Sequence, residues 1–142
     1  MYEYTFTRHR VGEPGRPITS TSEAYQQVRD AFDGAETEHV VAVALDRKHK
    51  PLGRETVYIG NVAGASVRLA EVFRLAVRLN ASALLLAHNH PSGDPEPSAE
   101  DMRTTRDAIA AGRLLGIEVL DHIVVGDARY VSIADQLAGK AA

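Results

Sequence analysis

The stretch from Ala87 to Asp101 reads AHNHPSGDPEPSAED: two histidines separated by one residue, a loop with three prolines, then a serine and an aspartate three positions apart. On an extended strand His88 and His90 point to one face, and Asn89 points to the other. Their Cα atoms then lie about 6.6 Å apart, close enough for both rings to converge on one ion. The prolines restrict the loop and lower the entropy cost of holding one shape. The loop delivers the chain to Ser98, at the N-cap of the next helix, and to Asp101 in its first turn. Two neutral imidazoles and a carboxylate leave a fourth tetrahedral position open, the ligand set of a catalytic zinc site. Each residue also has a plainer reading. A His-x-His pair can simply end a strand, and Ser98 with Asp101 resembles a capping box. Their joint occurrence across one strand–loop–helix boundary favours the metal centre. The literal string His-Asn-His does not indicate an HNH nuclease, whose motif residues are dispersed.

Hydrolysis at such a centre needs a carboxylate that is not itself a ligand. Neither HExxH nor HxxEH occurs, so the base must come from elsewhere. Glu55 is the leading candidate, because strand alternation puts it on one face with Val57 and Ile59, and an inward carboxylate needs a partner or a task. The competing reading is a strand-edge glutamate paired with Arg54 or a lysine. Glu71, Glu96 and Glu100 rank lower, the first in mid-helix and the others beside the loop.

The elements that must position these residues follow from periodicity. Residues 2–11 alternate as a strand and lead into a Gly/Pro loop at 11–17. Ser20 and Glu23 form a capping-box pattern ahead of a helix that stops at Gly34. Strands are expected over 39–46 and 54–60, and a helix over 66–80 with Leu69, Val72, Phe73 and Ala76 on one face. The apolar run 83–87 reads as a strand covered on both sides and extending to 90. A helix over 98–116 closes at Gly116. Residues 117–126 and 129–135 suggest a terminal hairpin. The order implies one α/β domain over 1–142, with a central mixed β-sheet flanked by helices.

Composition narrows the function. The 142 residues, 44% hydrophobic and 25% charged, suit a single globular domain with a real core. The absence of cysteine leaves histidine and carboxylate as the metal donors. A net charge of −3 argues against nucleic acid or an acidic membrane as partner. The charged start carries no signal-peptide pattern and no run is long enough for a membrane span, so a cytoplasmic protein is expected. His9, His39 and His49 read as surface residues, and Arg74 and Arg78 as a solvated basic face. Asp121 and His122 lie in an otherwise apolar strand, where His122 either orients a ligand or forms a satisfied core pair.

The pattern His88-x-His90, Ser98, Asp101 with an upstream glutamate resembles the JAMM motif of the MPN/JAB-domain metalloproteases. The wording AHNHPSGDPEPS, followed by a helix and VLDHIVVGD, is similar to the RadC-type JAB domain over about residues 20–135. That resemblance implies a cytidine deaminase-like α/β fold, bound Zn²⁺, and hydrolysis of peptide or isopeptide bonds in a protein or peptide substrate. It implies His88, His90 and Asp101 as zinc ligands, Glu55 as general acid/base, and Ser98 as the group that steadies the oxyanion. Glu55 matches through its offset from Gly60 and residues 65–67. Alternative readings are a RadC-type DNA-repair-associated protein and a noncatalytic metal-bound interaction module. Longer RadC-like proteins carry a helix-hairpin-helix region, whereas the first 20 residues here read as strand and loop. The Tyr58-Ile59-Gly60-Asn61 run also departs from the family's aromatic-Arg-Gly-Thr.

Overall fold

A computed structural model describes residues 1–7, 15–60 and 67–139. Five strands form one sheet in the order β2-β1-β3-β4-β5. They are β1 (Glu38–Leu45), β2 (Pro51–Gly60), β3 (Ala83–Asn89), β4 (Glu118–Val125) and β5 (Tyr130–Ser132). β1 pairs antiparallel with both β2 and β3, β3 pairs parallel with β4, and β4 pairs antiparallel with β5. The parallel pair needs a crossover, which helix α3 (Ala99–Leu115) supplies. The sheet is therefore mixed and its centre is β3, where all seven residues are buried.

Each face of the sheet has its own core. On one, Val41, Val43, Leu45, Leu85 and Ile123 pack with Ala24, Val28 and Phe32. The last three belong to α1 (Thr21–Val28) and the 3-10 turn that extends it to Phe32. On the other, Val40, Ala42, Ala44, Leu84 and Leu86 pack with Val72, Phe73 and Ala76 of α2 (Leu69–Arg78) and Ala108 of α3. Helices thus cover both faces. This is why β1 and β3 are apolar almost without interruption.

Four expectations need correction. Residues 2–7 form no strand: Tyr2, Tyr4 and Phe6 are exposed, and alternation without a partner strand does not make a ladder. Residues 8–11 of that expected strand lie outside the described residues. The segment 133–135 starts a short helix, α4 (Ile133–Leu137), because the Ser132 hydroxyl accepts from the Asp135 amide. Ser132-x-x-Asp135 repeats the spacing of Ser98 and Asp101, and its capping outweighs the strand-like composition. β2 begins at Pro51, an edge position where a missing N–H costs no rung. Finally, the β1–β2 register slips between Val40 and Val41, opposite Tyr58 and Thr56. Glu55 and Val57 share the α2 side as expected, but the bulge takes Ile59 off that face. Val57 is buried, Ile59 is 63% exposed, and Tyr58 packs on the α2-side core.

Candidate metal centre

His88 is the last α2-side residue of β3, paired with Val40 across β1 and with Val124 across β4. His90 follows as the strand ends, its amide donating to the Val125 carbonyl at 2.9 Å. The loop then turns at Gly93, whose φ of +90° favours glycine. Its carbonyl accepts from the Asp127 amide at 2.8 Å, which ties the loop to the β4–β5 turn. The chain reaches α3 at Ser98, whose hydroxyl accepts from the Asp101 amide at 3.0 Å while Asp101 Oδ2 accepts from the Ser98 amide at 2.9 Å. This is the reciprocal capping box expected from the sequence.

The same Asp101 Oδ2 lies 3.1 Å from His90 Nε2 and 3.3 Å from His88 Nε2, and the two Nε2 atoms are 3.0 Å apart. The hydrogen bonds behind them determine which nitrogens carry protons. His90 Nδ1 is 2.8 Å from the Asp94 carbonyl, which can only accept, so Nδ1 holds the proton and Nε2 a lone pair. Thr105 Oγ1 donates to the Asp101 carbonyl at 2.7 Å and therefore accepts from His122 Nδ1 at 2.6 Å. That leaves His122 Nε2 as the acceptor, 2.7 Å away, for the Nδ1 proton of His88. His88 Nε2 then also carries a lone pair. Burial pushes the His122 pKa well below its ordinary value, which keeps this ring neutral in the chain.

Three acceptor atoms thus converge on one point, an arrangement that a cation satisfies. A proton is the alternative occupant. The hydrogen bond to Asp101 is the main cause of a raised His90 pKa, opposed by burial and helped by the Asp94 carbonyl and the charges of Asp101 and Glu38. Burial alone would raise the Asp101 pKa. Hydrogen bonds to His88, His90 and Ser98 outweigh it and hold the carboxyl well below its usual range.

A cavity of about 530 Å³ opens in front of the triad. Val40, Tyr58, Val67, Val72 and Leu86 give it an apolar wall, and Glu36, Glu38, Ser98 and Glu100 bring polar groups to it. No lysine or arginine is among its described lining residues.

His88, His90, Asp101 and Ser98 are brought together as the sequence suggested. Glu55 is not. It sits opposite Ala42 on the α2 side, two residues along the sheet from the Val40–His88 row. There its Oε1 accepts from Arg74 Nε at 2.9 Å and from Nη2, and it is not among the residues lining the cavity. Arg74 is therefore an ion-pair partner rather than part of a solvated basic face, and Arg78 lies over the Phe6 ring. Glu38, missed in the sequence, does line the cavity. Its only sequence signal is shared parity with Val40, concealed because β1 is buried on both faces. Asp121 and His122 separate: Asp121 accepts from Ser132 Oγ and the Ala134 amide, while the His122 ring supports His88.

A helix-covered mixed sheet that gathers a strand-end His-x-His and a helix-start aspartate around one point defines a domain of the JAB/MPN class. The chain belongs to the RadC-like JAB domain family, whose model matches residues 18–138. It is 43% identical over 125 residues to a UPF0758 protein of Roseiflexus castenholzii, covering 88% of this chain and 54% of that one. It is 44% identical over 123 residues to a UPF0758 protein of Chloroflexus aggregans, covering 87% and 54%. It is 40% identical over 126 residues to one of Methanosarcina mazei, covering 89% and 55%. The chain spans about half the length of these relatives, and their names state no activity.

Proposed function

We propose that the domain is a zinc-dependent hydrolase of peptide or isopeptide bonds. One observation carries this reading. The three ligand atoms are separated by 3.0, 3.1 and 3.3 Å. A tetrahedral ion with bonds of about 2.0–2.1 Å needs edges of about 3.3 Å, so the triad fits zinc after small adjustments. The mixed nitrogen and oxygen donor set suits the same ion.

Bound there, zinc would supply Lewis acidity and lower the pKa of a coordinated water towards about 7. The remaining roles fall to the chain. Glu38 faces the cavity without belonging to the triad, and we assign it the proton transfer from attacking water to leaving amine. Ser98 Oγ accepts from the Asp101 amide, which leaves its hydroxyl hydrogen to donate to a carbonyl oxygen as charge develops. The apolar wall excludes water and accepts substrate side chains. The acidic lining favours a protein or peptide substrate over nucleic acid, whose phosphates it would repel.

The test measures zinc stoichiometry and peptide turnover on the same preparations. Asp101→Ala should lose most zinc. Glu38→Gln should keep zinc and lose nearly all turnover, while Glu55→Gln, freed from Arg74, should keep both zinc and most turnover. The reverse order of the two glutamate variants would return the proton-transfer role to Glu55. Full zinc in Asp101→Ala after mild chelation would overturn the ligand assignment, and a zinc-loaded wild type inactive on every peptide would favour the interaction module.

A further inference from the structure

β1 and β3 pair only as far as the Val40–His88 rung. Beyond it β3 stays with β4: Asn89 pairs with Val125, and the His90 amide also bonds the Val125 carbonyl. The sheet therefore parts between the start of β1 and the end of β3, at the level of the metal centre. Glu38 lies on the β1 side of this opening and pairs on its other side with Gly60.

The Asn89 side chain spans the gap. The residue is 6% exposed. Its Oδ1 accepts from the His39 amide at 2.7 Å, and its Nδ2 donates to the Thr37 carbonyl at 3.0 Å. These two backbone groups flank Glu38 on one strand edge, where a further β3 residue would otherwise bond them. A carboxamide offers one acceptor and a donor in a single plane, as a peptide group does. Aspartate at this position would keep the acceptor alone, and an aliphatic residue would leave both part-buried groups without this partner. Asn89 also sits between the two histidines, so one short segment sends two imidazoles to one face and an anchor for Glu38 towards β1.

We infer that Asn89 is a positioning residue: its side chain replaces the missing ladder rung and fixes the Glu38 carboxylate relative to the metal centre. This rests on the roles proposed above for the triad and Glu38.

The test uses Mn²⁺ as a paramagnetic probe and protein carrying ¹³C-labelled glutamate carboxyls and valine methyls. In wild type, Mn²⁺ should broaden both Glu38 and Val40 strongly. Asn89→Ala should bind Mn²⁺ within about threefold of wild type, short of the tenfold or greater loss typical when a ligand's own support is removed. The broadening of Glu38 should fall several-fold, that of Val40 should not change, and Asn89→Asp should be intermediate. Unchanged Glu38 broadening would overturn the inference, as would loss of Mn²⁺ binding, which would make Asn89 a support of the ligands. Should Asn89→Ala fail to fold, Asn89→Asp carries the same comparison. A wild type that does not bind Mn²⁺ would count against the metal centre itself. Amide exchange of His39 would then decide separately, with about tenfold faster exchange in Asn89→Ala supporting the bridge and equal exchange overturning it.

Discussion

Ser98 caps α3 through its oxygen, and the proposed reaction gives its hydroxyl hydrogen a second, separable duty. Ser98→Ala should cost about 1 kcal/mol of stability through the lost cap. With the proposed oxyanion contact it should also lose turnover by roughly a hundredfold or more. Ser98→Asp restores the cap without a neutral hydroxyl donor, so denaturant melts and turnover on both variants separate the duties. A stable, fully active Ser98→Asp protein would leave only capping. The triad was legible in the sequence because its members are local, a period-two pair on a strand and the first turn of the next helix. Glu38 was not, because its approach depends on β1 pairing with β3, where the nearest rung, Val40–His88, joins residues 48 apart in the chain. Glu55 looked inward from alternation and does lie on the α2 side, but Arg74 meets it there.

Elements with strong periodicity could be read within a few residues of their ends, including α2, β3, α3 and the β4–β5 hairpin. The errors fell where partners decide. Residues 2–7 have strand-like alternation and no strand beside them among the described residues, and 133–135 yield to the Ser132 cap. The bulge in β2 is a property of two strands and is invisible in one. The loop before α3 shows how such contacts reach the site. A Cβ on Gly126 would lie 2.3 Å from the Gly93 carbonyl oxygen and 2.7 Å from Pro95 Cδ. Gly126→Ala must therefore push the 91–97 loop outward, and the Asp94 carbonyl that orients His90 moves with it. The expected result is a loss of about 1–3 kcal/mol in stability. Zinc binding should also weaken several-fold, by competition against a chelating dye. Wild-type affinity in a destabilised Gly126→Ala protein would show that the loop position does not orient His90.

For the whole molecule, the triad makes stability depend on pH in a predictable direction. The lowered Asp101 pKa gives stabilisation that is present above about pH 3.9, the unfolded value, and is lost as pH falls through the lower folded value. The raised His90 pKa gives stabilisation that is complete below about pH 6.5 and is lost as pH rises through the higher folded value. Metal-free protein should therefore gain most from this cluster between about pH 4 and 6.5. In the proposed holoprotein zinc would compete with the His90 proton, so its affinity should rise by about tenfold per unit until His90 is neutral, then level off. Calorimetric titrations at several pH values would check this, and an affinity flat from pH 5 to 8 would remove His90 from the coordination sphere. Among the described residues no helix is long and apolar enough to cross a membrane.

One atom, Asp101 Oδ2, both closes the first turn of α3 and faces the two imidazoles. In the proposed holoprotein, the residence time of the ion is therefore tied to the fraying of a helix end. When that turn opens, the Ser98 amide and the coordinating oxygen are lost in one movement. While it stays closed, Oδ2 cannot swing away without leaving a backbone donor unpaired. Exchange of the proposed ion would then be gated by a helix-opening rate, and a substitution that merely loosens the cap would shorten occupancy without altering any ligand.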